Sequence, residues 1–221
     1  MGIINLAVGE YYHIYNRGVD KRNIIIDQDD LARFHQGLKL FNTRMPIGSI
    51  FEHSFVGNQQ DRRIKDDFPL VEIVCYAINP NHFHLLLKPL VERGIEKYLH
   101  RLTTGYSKYF NRKYQRGGAL FQGSFKSVHI DSNEYLLHLS FYINLNDQIH
   151  QLGRGASKLV WQTSVGEYRT SKLPGLCSKN IILGQFDSTE EYLLVASDKL
   201  PELIENKIAS KELSTILLEE E

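Results

Sequence analysis

A turn leading into a strand is predicted for residues 77–89, Ala77-Ile78-Asn79-Pro80-Asn81-His82-Phe83-His84-Leu85-Leu86-Leu87-Lys88-Pro89. Pro80 and Asn81 favour the turn, and the apolar run after them favours the strand. Because alternate residues of a strand share a face, His82 and His84 point one way and Phe83 points the other. Two buried imidazoles need partners, and a divalent metal ion would satisfy both. A bare His-x-His motif more often holds one buried and one exposed histidine, so a metal site needs a third ligand from elsewhere.

The elements predicted around this strand follow the order strand, helix, strand, strand, helix, strand, with a third helix after them. Their predicted ranges are 10–16, 27–44, 71–78, 82–88, 91–114, 119–130 and 131–149. Asp27 and Asp131 are the predicted N-caps of the first and third helices. The order is that of an α+β, ferredoxin-like split βαβ fold, with a four-stranded antiparallel sheet and its helices on one face.

The rest of the chain is predicted to be less regular. Residues 45–70 are predicted to form a polar loop with a short strand at 50–56, and Gly153 and Gly155 are expected to mark a boundary. We therefore expect one domain at residues 1–155 and a small, mostly helical C-terminal extension at residues 156–221.

The composition is that of an ordinary globular protein. Its 221 residues are 42% hydrophobic, which supports a buried core. No apolar run approaches the roughly 18 residues that span a bilayer, and the sequence starts without a secretion signal pattern. Cys75 and Cys177 are isolated, which favours reduced thiols. We expect a cytoplasmic protein without a membrane partner.

Charge is segregated along the chain, although the formal net charge is zero. Residues 97–126 contain seven lysines and arginines and no acidic residue, whereas residues 187–221 contain ten acidic residues and three lysines. Aromatic residues are interleaved with the cations of 97–126, a combination that suits single-stranded nucleic acid. An amphipathic helix with a solvated basic side explains the same pattern equally well.

A polar stripe is predicted on the third helix, because residues four apart share a helix face. His138, Tyr142 and Asn146 form this stripe on an otherwise apolar helix. The Asn146 amide oxygen is a hard ligand suited to Mg²⁺ or Mn²⁺, and the Tyr142 phenol could attack a phosphate held by that ion. A core tyrosine followed by a late-helix asparagine is the simpler interpretation of this helix taken alone.

Four stretches in this order resemble the single-tyrosine HUH transposases, in particular the REP-associated tyrosine transposases, where HUH denotes His-hydrophobic-His. They are residues 12–18 as the first strand, residues 79–86 as the HUH strand, residues 109–112 with 118–127 as the basic segment, and residues 136–146 as the tyrosine helix. The chain departs from the family at two positions. The family commonly has His two residues after the tyrosine and Pro five after it, where this chain has Asn144 and Asp147.

The resemblance implies cleavage of single-stranded DNA beside a hairpin by transesterification. His82 and His84 match the family's metal ligands, Asn146 matches the third ligand, and Tyr142 matches the nucleophile. The ion would be Mg²⁺ or Mn²⁺, and the products would be a 5′-phosphotyrosine link and a free 3′-hydroxyl. His138 is either structural or a helper in deprotonating the phenol. The residues expected to hold DNA phosphates are Arg17, Arg101, Lys108, Arg112, Lys113, Arg116 and Lys126.

Two other functions fit part of the pattern. A domesticated protein with the same fold would bind hairpin DNA without cutting it. A metal-binding ferredoxin-like protein unrelated to DNA would leave the basic aromatic segment unexplained. The quaternary structure stays open between a monomer and a homodimer.

Overall fold

A computed structural model describes residues 6–50, 68–150, 159–170 and 175–219, the last ten of these by their backbone alone. The strands are β1 (Tyr11–Arg17), β2 (Val71–Ile78), β3 (His82–Pro89), β4 (Lys126–Ile130) and β5 (Gln162–Thr163). The helices are α1 (Gln28–Leu40), α2 (Gly94–Lys113), α3 (Asn133–Asn144), α4 (Asn146–Ile149), α5 (Val165–Arg169), α6 (Asn180–Leu183) and α7 (Thr189–Glu219). A 3-10 turn covers Val19–Lys21.

One antiparallel sheet organises these elements, in the strand order β4-β1-β3-β2-β5. The α+β class and the β2–β3 hairpin are therefore confirmed, but the prediction of four strands is wrong. The fifth strand is only two residues long and pairs with the end of β2, Ala77 opposite Thr163 and Ile78 opposite Gln162. Two residues carry no alternation of polar and apolar side chains, so the sequence gives no sign of this strand.

Helices cover both faces of the sheet, which corrects the prediction of helices on one face only. Phe83 and Leu85 of β3 belong to an apolar cluster with α1 and α2. Leu86 of β3 and Ala77 of β2 belong to a second cluster with α3 and the C-terminal helices. The central strands are buried on both sides, a pattern typical of a sheet between two helical layers.

The C-terminal residues contribute to the second of these clusters. Tyr168, Tyr192 and Leu203 pack there with the sheet residues Cys75 and Leu86. The boundary predicted at residue 155 lies outside the described residues, so the division into two domains stays a prediction. All but the first residue of the short strand predicted at 50–56 also lies outside them. No helix among the described residues is long and apolar enough to cross a membrane.

The helix that carries Tyr142 differs in detail from its prediction. Its N-cap is Ser132, whose hydroxyl accepts a hydrogen bond from the Tyr135 backbone amide at 3.2 Å, and not Asp131. It ends at Asn144, Leu145 has φ −100° and ψ 15°, and α4 starts at Asn146. Residues 119–125, predicted as the start of the fourth strand, form a loop with an isolated bridge between Phe121 and Gly18.

A buried carboxylate joins the start of α1 to the end of α2. Asp30 is fully buried and its side chain accepts hydrogen bonds from Lys113 at 2.9 Å, from Tyr114 at 2.7 Å and from the Ile26 amide at 2.9 Å. Asp27 caps α1, as predicted, and also accepts from Lys113 at 2.7 Å.

Substitution of this carboxylate by an amide should destabilise the fold. We expect Asp30→Asn to lower the free energy of unfolding by about 3 kcal/mol, because it leaves Lys113, the Tyr114 hydroxyl and the Ile26 amide with a poorer partner. Urea denaturation would measure the change. Asp20→Asn is the matched control, since it removes an exposed carboxylate that pairs with Arg22 at 3.4 Å. Equal midpoints for the two variants would contradict the role assigned to Asp30.

Candidate active site

The two histidines of β3 share the sheet face that α3 covers. His82 lies opposite Arg17 in the β1 register and His84 lies opposite Tyr15, with the two imidazole centroids 5.0 Å apart. Two imidazoles that bind one ion through nitrogens at about 2.1 Å have centroids about 5 Å apart. The spacing of this pair is therefore compatible with a shared ion.

Hydrogen bonds to two asparagines fix the tautomer of His82. Its Nδ1 lies 2.6 Å from the Asn81 side-chain oxygen, to which it donates. Its Nε2 then carries the lone pair and accepts from the Asn79 amide nitrogen at 2.8 Å. A partner on one ring nitrogen commonly orients the other nitrogen toward a metal ion.

The same Asn79 amide also donates to Asn146. Its nitrogen lies 2.6 Å from the Asn146 Oδ1 atom, and Asn146 is fully buried. The Asn79 side-chain nitrogen therefore lies between His82 Nε2 and Asn146 Oδ1 and donates to both. We call this position the convergence point of the two acceptor atoms. The other ends of the two amides, Asn79 Oδ1 and Asn146 Nδ2, are buried without a hydrogen-bond partner among the described residues.

His84 is held from the β1 side by a third histidine. His13 Nε2 lies 2.9 Å from His84 Nδ1, and the two rings are stacked with centroids 5.1 Å apart. This pairing uses Nδ1 of His84 and leaves Nε2 as its nitrogen for an ion. Only 8% of His84 is exposed, so its ring has little direct contact with bulk solvent. A ligand would therefore approach it from within the site.

Burial keeps these imidazoles neutral. It lowers the pKa of His13 and of His82 to about 4, and for His82 the nearby charges of His150, Lys207 and Arg17 add to the effect of burial. Burial also lowers the pKa of His84 well below its usual value. A neutral imidazole is the form that binds a metal ion.

Tyr142 lies beside His84 on the facing helix. The two rings meet edge to face, with centroids 5.5 Å apart and an interplanar angle of 86°. Burial raises the pKa of Tyr142, and a hydrogen bond with the Asn146 side chain opposes that rise. The phenol is therefore protonated at neutral pH and must lose its proton when it attacks an electrophile.

The arrangement of His82 and Asn146 is compatible with a divalent ion. The lone pair of His82 and the oxygen of Asn146 already converge on one point, and the buried unpaired amide atoms there show that the pocket is polar. Among the described residues, no three His, Cys, Asp or Glu side chains are arranged to hold an ion, so a site built on His82 and His84 would need a ligand of another type, such as the Asn146 oxygen. Mg²⁺ and Mn²⁺ accept such an oxygen.

Four residues of the site were not found from the sequence. Asn79 and His13 contact the histidine motif directly, and His150 packs against His82 with ring centroids 5.2 Å apart. Lys207 of α7 donates to the Ile149 carbonyl at 3.0 Å, and its charge acts on His82 and His150. Alternation along β1 could have placed His13 on the histidine face; only the fold brings His150 and Lys207 there.

The residues predicted to bind phosphates lie on two sides of the sheet. Arg17 and Lys126 belong to the histidine face, because Arg17 pairs with His82 and Lys126 pairs with Tyr15 in register. Both side chains are exposed, and Arg17 donates to Gln122 at 2.5 Å. These two cations are the members of the set that share a face with Tyr142.

The α2 cations of the set lie in the layer that covers the other face. A groove of about 1130 Å³ is lined there by Arg33, Arg101, Lys108, Arg112 and Lys113. Lys108 and Arg112 are exposed, whereas Lys113 is bound to Asp27 and Asp30. Arg101 donates to the carbonyls of Thr43 and Arg44, and Arg116, in the loop after α2, donates to Asn111 and to the Ala119 carbonyl.

Comparison with known proteins agrees with the resemblance inferred from the sequence. Residues 62–146 match the family described as "Transposase IS200 like". The fold is similar to that of a solved REP-associated tyrosine transposase bound to a REP hairpin, with a TM-score of 0.51 and 13% sequence identity over 80% of this chain and 88% of that chain. A search of curated proteins gave no match. The family resemblance is thus confirmed by a sequence match, and the structural likeness supports the fold.

Proposed function

We propose, from the match to the IS200-like transposases, that this protein is a metal-dependent single-stranded DNA endonuclease and strand transferase that acts through a 5′-phosphotyrosine intermediate. The observation that carries the proposal is the meeting of Tyr142, His84, His82 and Asn146 on one face of the sheet. A phenol beside a neutral, polar ligand set is suited to phosphoryl transfer.

The proposed chemistry exchanges one phosphodiester bond for another. The Tyr142 oxygen attacks phosphorus, the bond from phosphorus to the 3′-oxygen breaks, and the phenolic proton is lost as the departing 3′-oxygen gains one. The products are a DNA 5′-end linked to Tyr142 and a free 3′-hydroxyl. Attack by another 3′-hydroxyl on this link releases Tyr142 and joins two strands, so no nucleotide cofactor is required.

His82, His84 and Asn146 would hold the divalent ion. When bound, Mg²⁺ or Mn²⁺ supplies Lewis-acid polarisation of the scissile phosphate. For the ion to take this place, the Asn79 amide must turn away from His82 and Asn146, which it now bridges. His13, whose Nε2 lies 2.9 Å from His84 Nδ1, would keep the His84 ring oriented toward the ion.

Arg17 and Lys126 would hold the DNA strand at the site, because they share its face. Such contacts position a strand without reading its sequence. Lys108 and Arg112, on the layer behind the sheet, would reach only DNA that extends past the cleavage position, for example the stem of a hairpin. Arg101, Lys113 and Arg116 already bind protein groups. They would contribute to DNA binding through the long-range electrostatic potential of the protein and not through direct phosphate contacts.

This arrangement gives a salt-dependence prediction. Arg17→Ala and Lys126→Ala should each weaken binding of a short unstructured oligonucleotide and reduce its salt slope by about 0.7, because one phosphate contact is lost. Lys108→Ala and Arg112→Ala are the controls and should leave that slope unchanged. Fluorescence anisotropy across a salt series would measure it. Equal effects from all four variants would contradict the assignment of two separate cationic surfaces.

A non-cleaving hairpin-binding protein is the second candidate. The bridging position of Asn79, which occupies the convergence point of two ligand atoms, favours it. Asp147, with a buried Oδ1 atom that has no partner among the described residues, adds a carboxylate next to Asn146.

Incubation with labelled hairpin DNA from sequence flanking the gene, with Mn²⁺ or Mg²⁺, would separate the two candidates. A covalent protein–DNA band on a denaturing gel that a chelator abolishes supports the nuclease. Binding without any such band, across several flanking hairpins and both metals, supports the non-cleaving protein.

A further inference from the structure

A chain of buried hydroxyl and amide groups runs through the core behind Tyr142. The Ser164 hydroxyl donates to Asn144 Oδ1 at 2.6 Å, and Asn144 Nδ2 donates to the Tyr192 hydroxyl at 2.8 Å. Tyr192 in turn donates to the Ser140 hydroxyl at 3.3 Å. All four residues have no measurable solvent exposure.

This chain of hydrogen bonds joins three parts of the molecule. Ser140 and Asn144 lie on α3, two residues on either side of Tyr142. Ser164 follows β5 and also accepts from the Tyr76 backbone amide at 2.9 Å, so it is fixed to the sheet. Tyr192 lies on α7 and packs between Phe141 and Tyr168, with ring centroids 5.3 Å from each.

Both ends of the Asn144 amide are satisfied, and this restricts how α3 can rotate. Turning the helix about its axis would separate the buried amide from Ser164 and Tyr192 and leave its polar atoms without these partners in the core. The same rotation would carry Tyr142 away from His84. Tyr142 lies on the opposite side of α3 from Ser140 and Asn144, because residues two positions apart on a helix point in nearly opposite directions. The family's usual histidine at position 144 is absent here, and the asparagine is matched to partners from the C-terminal part of the chain.

We propose that Ser164 and Tyr192, both beyond the residues that match the family, are positioning residues that fix the rotation of α3 and so hold Tyr142 toward His84. This inference rests on the proposed function, since it assigns an effect on the attack by Tyr142. It makes the segment after residue 158 part of the catalytic unit rather than an independent appendage. Neither residue is one of the proposed metal ligands or the proposed nucleophile, so each would act through α3.

Tyr192→Phe in the full-length protein tests this directly, because it removes one hydroxyl and keeps the ring. Tyr98→Phe is the matched control, since the Tyr98 hydroxyl is equally buried and donates to the Leu38 carbonyl at 2.9 Å on the other side of the sheet. For each variant we would measure the rate of covalent adduct formation at saturating hairpin DNA and the dissociation constant of the protein–DNA complex. Both measurements would be made at a temperature well below the unfolding midpoint. We expect Tyr192→Phe to slow adduct formation about tenfold, which corresponds to about 1.4 kcal/mol, with the dissociation constant unchanged.

The control separates positioning from loss of stability. Tyr98→Phe should lower the unfolding midpoint to a similar extent and leave the rate unchanged. Equal rates for wild type, Tyr192→Phe and Tyr98→Phe would overturn the inference while leaving the proposed function intact. Absence of any adduct from the wild-type protein would overturn the proposed function and this inference with it. If Tyr192→Phe does not fold, Ser164→Ala replaces it, with the same rate loss expected and an unchanged rate again overturning the inference.

Discussion

Replacement of Tyr142 by phenylalanine should abolish the covalent protein–DNA adduct, lowering its yield by at least about 10³-fold, because the variant lacks the attacking oxygen. The ring that meets His84 edge to face is retained, so the fold and DNA binding should survive. A denaturing gel with labelled hairpin DNA and Mn²⁺ measures the adduct, and anisotropy measures the binding.

Tyr135→Phe is the control for this variant. Tyr135 lies on the same helix, two turns before Tyr142, and is half-buried. It should form the adduct at the wild-type rate. An adduct that persists in Tyr142→Phe and disappears in Tyr135→Phe would show that the nucleophile had been assigned to the wrong tyrosine.

His82→Ala and Asn146→Ala should each remove most of the metal affinity and at least about 100-fold of the adduct yield. The estimate is a lower bound, because loss of an outer-shell partner alone costs 10–100-fold. Each substitution deletes one of the two atoms that converge on the Asn79 amide. Isothermal titration with Mn²⁺ gives the affinity without reference to activity.

His129→Ala provides the comparison for these two variants. His129 is an exposed histidine of β4 that lies 3.2 Å from Glu10, away from the convergence point. Its affinity for Mn²⁺ should equal that of the wild type. If all three variants bind Mn²⁺ as the wild type does, the ion is held elsewhere and the ligand set proposed here is wrong.

The residues proposed for catalysis could be named from spacing and from family resemblance because each lies on a regular element. Two-residue alternation places His82 and His84 together on a strand, and four-residue spacing places Tyr142 and Asn146 on one side of a helix. The structure brings these four side chains together even though the helix breaks at Leu145.

The surroundings of the site could not be predicted in the same way. Asn79 belongs to the turn that the sequence marks only as a chain reversal, and its side chain reaches Asn146 across 67 residues of sequence. The short strand β5 and the contacts of Tyr192 depend on the return of the C-terminal chain to the sheet. Such contacts produce no periodic pattern in the sequence, because each of them involves a single side chain from each element.

Helices cover both faces of the sheet because both faces are apolar, which the predicted order of elements does not reveal. A ferredoxin-like order accounts for α1 and α2 on one face. The other face is apolar at Ala77 and Leu86, and α3 with the C-terminal helices buries it. This second layer is what brings Tyr142 onto the histidines, and the sheet itself lies between the histidines and the α2 cations.

Mass spectrometry of the protein–DNA adduct tests the central claim most directly. The adduct formed with Mn²⁺ and flanking hairpin DNA would be digested with nuclease and protease, and the peptide that carries the residual nucleotide would be sequenced. The account predicts a phosphotyrosine-linked nucleotide on Tyr142, with the DNA attached through its 5′-phosphate. A nucleotide on any other residue, or attachment through a 3′-phosphate, would contradict it.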